Sequence, residues 1–388
     1  MATFNVKDQG AQGNGVHDDT QAIQNTIDLA VAEKGGIVFF PPGKYLITAT
    51  LQVNGLAAMV GSGWSTNSTL DGSFIHINSD FEGDMLNISG RNASVDQLGF
   101  SCDQPEVTQN WEPNDFGGGS AVHIRADDIT LSNLFLYNVT RGIDASNDSG
   151  SIGRITLDRI FGQPITRGIK VDNALDVVKI KNVHFWPFWN GQEPVKLYQM
   201  NNATGLVSYR NDNPFYSDIF CLHYKYGMHF SRSVQPTGPG VDPNIWGITS
   251  KFKIVNCDLD FCATPLMVDG DNTTGQLCNF SCQGPNQSDP SDVGIKILGV
   301  GIHLQATNVY ITQIDNNGIR VDGVGSSLLI EDVWVVDWDR SQQGFPGIEV
   351  INGANAIVGA TRLFNNNHQV PSMFGSIQFA QLQTLPTS

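Results

Sequence analysis

The sequence is short of positive charge: 22 Lys and Arg stand against 38 Asp and Glu, a formal balance of −16 over 388 residues. A chain of that sign lacks the basic face that phosphates need, which argues against nucleic acid and anionic membranes as partners. Charge of either sign is scarce, at 15% of residues, and Gly is abundant, at 41. That balance suits many short strands and tight turns better than long exposed helices. No run of about 18 apolar residues occurs, so no membrane-spanning helix is expected. No charged and apolar leader is visible before Phe4, so no signal peptide is expected in this chain; an extracellular or virion-associated location then means that a leader has been trimmed or that the protein leaves the cell another way, for example on a virion.

Paired metal or redox cysteines are also missing. Cys102, Cys221, Cys257, Cys262, Cys278 and Cys282 form no CxxC pair, and no His follows at zinc spacing. Most lie in strand-like runs and read as small buried thiols; the Cys257/Cys262 and Cys278/Cys282 spacings leave a disulfide or a metal open. P-loop, GxSxG, HExxH and dinucleotide-binding signatures are absent, and no metal or cofactor is called for. His17, His76, His123, His303 and His368 are isolated and read as structural.

What is present is a repeat. Between Ile129 and Trp189 a Gly-Ile unit (Gly142-Ile143, Gly168-Ile169) alternates with an apolar-x-apolar-x-Asn/Arg-apolar unit centred on Asn133, Arg159 and Asn182. Similar bend positions follow at Asp218, Asn256, Asn279, near Asn308 and at Asp332. Two short strands and two turns per period, repeated at this length, make a stacked coil. Small polar residues at bends can satisfy turn backbone groups. The chain has room for ten or eleven rungs between about Leu86 and Val358. Two periods are long and carry loops, Pro187 to Thr204 and Ser231 to Lys251, and long loops in compact folds are often functional. The expected division is 1–55 as a cap continuous with the coil, 56–360 as the coil, and 361–388 as a polar tail.

The start of the chain differs from the coil. Phe4 to Asp19 reads as a strand and a Gly-rich loop, with Asp18 as N-cap and Gln21 at the capping-box position. Ile23, Ile27, Ala30 and Val31 then share one helical face, and Gly35-Gly36 ends the helix. Strand Ile37 to Phe40, a turn at Pro41 to Lys44 and strand Tyr45 to Ile47 follow. Such a helix can cover the open first rung of a coil. The stretch FNVKDQGAQGNGVHDDTQAIQNTIDLA…GGIVFFPPGKYLI resembles the N-terminal segment of the pectate-lyase-like superfamily, which includes polysaccharide enzymes and phage tailspike depolymerases. The resemblance covers about the first 55 residues closely and the remainder in rung pattern only. It implies an all-β fold, a right-handed parallel β-helix with an N-terminal capping helix. It also implies a polysaccharide substrate, while the reaction stays open, because hydrolases, lyases, epimerases and adhesins share the motif. The Asp-Pro-His-Glu motif of the mannuronan epimerases and a pectate-lyase calcium pattern are absent.

Parity along the strands separates inside from outside. After each bend one parity is apolar: Leu134/Leu136, Val183/Phe185, Ile219/Cys221, Leu259/Phe261, Phe280/Cys282 and Val333/Val335. The other parity stacks into an outward column reading Phe135, Phe161, His184, Phe220, Asp258, Ser281, Tyr310, Trp334. A neighbouring column contains Trp186 and Asp260. A line of aromatics suits a glycan groove or a homotrimer interface, and the two are compatible. Asp258 and Asp260, two apart on a strand, lie about 6.5 to 7 Å apart at Cα. They suit acid/base cleavage of a glycosidic bond, with a solvated acidic surface as the plainer alternative. His184, Trp186 and Trp189 are the expected sugar-holding residues. On the Gly-Ile strands a second column carries Asp144, Lys170, His229, Lys296, Arg320 and Glu349. There His229, Arg232 and Lys170 suit a uronate lyase, or an ordinary ion-paired sheet. Asp269 and Asp271 form an acidic turn that could join the hydrolytic site or weakly hold calcium, without a full ligand loop. The expected activity is polysaccharide depolymerisation, hydrolysis before elimination, with a non-catalytic adhesin or virion module as the remaining alternative.

Overall fold

The computed structural model describes residues 2–234, 247–365 and 372–380. It is a right-handed parallel β-helix. One sheet holds twelve parallel strands in strict chain order, from Leu51–Val53 to Met373–Gly375. These include the Gly-Ile strands Arg141–Ala145, Arg167–Val171 and Tyr226–Phe230. The other strands, also parallel, belong to a sheet folded along its length, and this fold supplies the two remaining faces of the coil.

The fold line is made by single residues in the left-handed region. Asn133, Arg159, Asn182, Asp218, Asn256, Asn279, Asn308 and Asp332, the bends read from the sequence, have φ between 50° and 57°. Asn and Asp reach this region at lower cost than other side chains with a Cβ. Several of them also bond to each other from rung to rung. Asn256 Nδ2 donates to Asp218 Oδ1 at 3.2 Å, Asn279 Nδ2 to Asn256 Oδ1 at 2.9 Å, and Asn308 Nδ2 to Asn279 Oδ1 at 2.7 Å. From Asp218 to Asn308 each bend therefore locks the register of the next.

Inside, the apolar parity is buried from Leu134 and Leu136 through Val333 and Val335. Phe261 is the exception. Its φ is 50°, so it turns the chain out of the strand, and its ring stacks on His223 at 5.7 Å. Cys257 and Leu259 take the two inward places of that rung. All six cysteines are free and five are buried, so neither spacing left open forms a disulfide. Among the described residues no group of three His, Cys, Asp or Glu could hold a metal ion.

Helix α1 (Thr20–Ala32) buries Ile23, Thr26, Ile27 and Ala30 against the first rungs. It starts one residue later than expected. Asp18 bonds the Thr20 N–H at 3.0 Å, while Asp19 is wholly buried and accepts from the Gln12 and Gly13 N–H groups at 2.7 and 2.9 Å. Asp19 thus pins the Gly-rich loop to the helix start. The cap is continuous with the coil, because Thr3–Asn5 pairs with Gly36–Phe40, which pairs with Ala57–Gly61. At the other end strands continue past 360: Thr361–Phe364 pairs with the Val333 rung and Ile377–Phe379 with Ala356–Val358. His368, the rest of the tail and the middle of the second long loop lie outside the described residues. The first long loop contains a second helix, α2 (Glu193–Asn202). Its moderate polarity and the Pro194 at its start gave no apolar periodicity to read.

Candidate active site

The outward column of the face after the bend has the register expected from parity. Phe135 pairs with Phe161, then His184, Phe220, Asp258, Ser281, Tyr310 and Trp334. In the next column Leu222 pairs with Asp260. Adjacent strands are about 4.8 Å apart, so His184 stands two rungs, roughly 10 Å, from Asp258.

Asp258 and Asp260 stand close enough that Asp258 acts on the Asp260 carboxyl. Ser281 Oγ donates to Asp258 Oδ1 at 2.9 Å, and the Gln283 N–H to Asp260 Oδ1 at 3.1 Å. Burial pushes the Asp260 carboxyl up, the Asp258 charge and hydrogen bond push it further, and its pKa reaches about 6. Two adjacent carboxyls cannot easily both ionise, so the pair holds a proton where single aspartates have lost theirs.

Above the pair the aromatics divide into covered and free. Phe135 is fully buried under Trp64, whose ring stacks on it at 4.9 Å, and under Phe188 at 5.5 Å. His184 packs against Phe161, Phe188 and Phe220 at 5.2 to 5.5 Å, and burial lowers its pKa. Trp186 remains 44% exposed beside Phe220. Trp189 is spent on packing. It lies 5.6 Å from Trp111 in a small apolar cluster with Ile165, Val195 and Tyr198, which fastens α2 to the coil. Of the two expected sugar-holding tryptophans, Trp186 therefore presents the freer ring.

The four aspartates do not form one site. Asp269 and Asp271 follow strand Thr264–Val268 on the Gly-Ile face, around the corner from Asp258 and Asp260. There His229 Nε2 meets Asp269 Oδ1 at 3.0 Å, with the Tyr226 ring 4.7 Å from the imidazole. Arg232 lies 3.7 Å from Asp271, whose Oδ1 accepts the Val300 N–H at 2.8 Å. Burial pushes the Asp269 carboxyl up, but the His229 bond and charge outweigh it and hold the pKa below its ordinary value. Three strands back from His229 in the same sheet, Asp144 accepts from Arg167 at 2.9 Å and Lys170 at 3.2 Å.

Two residues near these groups gave little sequence signal. Tyr209 sits in the field of Arg167, Asp172, Asp269 and Asp144, and burial raises its pKa. His223 has φ 64°, and its N–H donates to the Asp260 carbonyl at 3.3 Å. Burial and then Lys196 lower its pKa. Lys196 of α2 is itself held by the buried Asp289, at 3.1 Å. A polar residue in a left-handed turn next to an acidic strand end was the available signal for His223.

Comparison with known proteins adds to the geometry. Residues 3–93 match the family described as rhamnogalacturonase A/epimerase, pectate lyase-like. Mannuronan C5-epimerase AlgE6 of Azotobacter vinelandii is 44% identical over 79 residues, covering 18% of this chain and 9% of that protein. Plasmin and fibronectin-binding protein A of Streptococcus pneumoniae is 57% identical over 45 residues, covering 11% and 6%. The chain thus matches less than a tenth of the length of these relatives. Among solved structures, the Dettilon tailspike protein superposes with a TM-score of 0.65 at 11% identity over 97% of this chain and 68% of that one. The catalytic unit of a GH87 α-1,3-glucanase from Streptomyces thermodiastaticus strain HF3-3 gives 0.58 at 13% identity, over 98% and 68%. At such identities the likeness is one of fold. The chain is a parallel β-helix along its whole described length, and its first 93 residues carry the pectate-lyase-like signature.

Proposed function

We propose that this protein binds and depolymerises an extracellular polysaccharide, and that Asp258 and Asp260 carry the cleavage by hydrolysis. The observation behind this is the Asp260 carboxyl at about 6 beside Asp258, on an outward column below an exposed tryptophan. A protonated Asp260 donates to the departing glycosidic oxygen. Asp258, positioned by Ser281, serves as base or nucleophile. Trp186 offers a sugar a flat apolar face, and His184, held neutral by burial, borders it. The names of the relatives, an epimerase and a glucanase acting on glycans, agree with this substrate class.

A second reading is elimination on a uronate at the Gly-Ile face, favoured by the His229–Asp269 bond, which orients an imidazole as a base on the face that also carries Lys170 and Arg232. A homotrimer is part of the proposal, as is an extracellular or virion-associated location. Tyr310 and Trp334, 44% and 41% exposed at the far end of the aromatic column, suit a buried strip between copies.

The test is to digest a panel of bacterial capsular and algal glycans and to weigh the products. Products heavier by one water per cut support hydrolysis. Unsaturated products that absorb in the ultraviolet transfer the chemistry to His229. Binding without new ends leaves an adhesin.

A further inference from the structure

One depression on the side of the coil lies away from both acidic sites. A trough of about 490 Å³ lies on the face before the bend and continues into a second of about 350 Å³ that shares Gln276, Gln305 and Leu329 with it. Its walls are set by strand register. Lys253, Gln276, Gln305 and Leu329 line it in one row, and Phe215 and Lys179 continue that row beyond the trough, five steps or about 24 Å in all at strand spacing.

We propose that this trough is a second, non-catalytic binding site for an extended acidic polysaccharide. Three observations carry it. The first is charge. Most cations of this acidic chain already touch a carboxylate, among them Arg154, Lys170, Lys196 and Arg320. Lys179, Lys251 and Lys253 have no ion pair among the described residues. Three lysines without a carboxylate partner, on one face of a chain with net charge −16, make the Lys253 end of the trough locally positive and suited to carboxylate or sulfate groups, while Glu331 lines the far end. The second is the aromatic. Phe215 is 44% exposed, with the Lys253 ammonium 4.9 Å from its ring centre, so a flat apolar surface and a cation meet at one point. The third is the polar lining. Gln276 Nε2 donates to Gln305 Oε1 at 3.0 Å, and His303 Nδ1 meets Ser327 Oγ at 2.7 Å. These ladders fix the side chains in place and leave Gln276 Oε1 and Gln305 Nε2 for hydroxyl groups. Neighbouring positions repeat at strand spacing along the coil axis, so a linear polymer can make the same contact on successive rungs.

The site does not depend on the Asp258–Asp260 reading, and its test keeps the two apart. Protein carrying both Asp258→Asn and Asp260→Asn, to prevent cleavage, is passed over immobilised polygalacturonate, alginate, hyaluronate and, as a neutral control, dextran. At least one acidic polymer is retained, retention weakens with salt, and dextran is not retained. Adding Lys251→Glu with Lys253→Glu lowers the affinity for the retained polymer at least tenfold, and Gln276→Ala with Gln305→Ala lowers it less. These substitutions are on exposed or half-exposed positions, and a circular dichroism spectrum and melt check the fold. With the aspartates restored, the lysine variant cleaves short oligosaccharides at the parent rate. Failure to retain any acidic polymer overturns the proposal, as does equal binding by the lysine variant. A drop in sedimented mass in that variant assigns the trough to a subunit interface and overturns it too.

Discussion

Asp260 on the face after the bend and Asp269 on the Gly-Ile face are both partly buried, and their carboxyls are pushed in opposite directions. Asp260 faces Asp258, so burial and like charge act together and raise it to about 6. Asp269 faces His229, whose bond and charge overcome the same burial and lower it. The comparison shows that in this coil the neighbour decides the protonation state, and register decides the neighbour. A face with unpaired carboxyls is poised to give and take protons. A face with its aspartates against His229, Arg167 and Lys170 is closer to a compensated network, worth little in stability where exposed.

The largest effect that would break this contrast is loss of activity. Asp258→Asn and Asp260→Asn should each lower turnover by about 10²- to 10⁴-fold, the usual weight of a general acid or base. Asp269→Asn should lower it less than tenfold. Assay of reducing ends on the cleaved glycan measures both. The reverse ranking would move the chemistry to the Gly-Ile face.

Titration gives the next effect. With Asp260 as the acid, activity falls as pH rises through about 6. Stability follows the same group with its own sign. A carboxyl raised in the folded state binds its proton more tightly there than in the unfolded chain. Its cost is absent below the ordinary carboxylate range, grows as pH rises toward 6, and is complete above it. Asp260→Asn should therefore raise the melting temperature at pH 8 and leave it unchanged at pH 3. Asp269 is lowered, so its contribution is present at neutral pH and is lost as pH falls through its folded value. Asp269→Asn should lower the melting temperature at pH 7. Thermal melts across pH separate the two; parallel shifts in both variants would erase the contrast.

Trp186→Ala comes third. The ring is 44% exposed and contributes little to the core. Its loss should raise KM by roughly fivefold, consistent with about 1 kcal/mol of aromatic contact. Stability should hold, whereas Trp189→Ala should lower stability through its contact with Trp111. Steady-state kinetics and melts on the two variants decide which tryptophan faces the glycan.

The fold was largely legible because repetition exposes it. Every rung repeats the same inward parity and the same left-handed bend, so an error at one position is outvoted by its neighbours. Phe261 shows the limit: one residue leaves the strand early, and only the stacked His223 explains where it goes. The candidate site was half legible. Parity placed Asp258 and Asp260 side by side and put Asp269 with the Gly-Ile column, but the local pattern left open whether the acidic turn of Asp269 and Asp271 reaches round to the first pair. Trp189 illustrates the same gap, since its partner Trp111 belongs to a distant excursion with no repeat. Long-range packing of irregular loops has no periodic signature, and α2 escaped for that reason.

The smallest effect tests the register on which the contrast rests. Asn279 sits at a bend with φ 53° and bonds Asn256 on one side and Asn308 on the other. Two residues later Ser281 holds Asp258. Asn279→Ala removes both ladder bonds and places a less tolerant residue in the left-handed region, at a cost of about 1–2 kcal/mol. Asn279→Gly removes the same bonds but relaxes the backbone, so it should recover part of that loss. Denaturant melts give the two stabilities. If the bend also aligns the carboxyl pair, both variants lower cleavage by a few fold while leaving the melting response of Asp269→Asn untouched, because the Gly-Ile face takes its register from separate strands. Equal disturbance of both faces would mean that the coil transmits the change as one body.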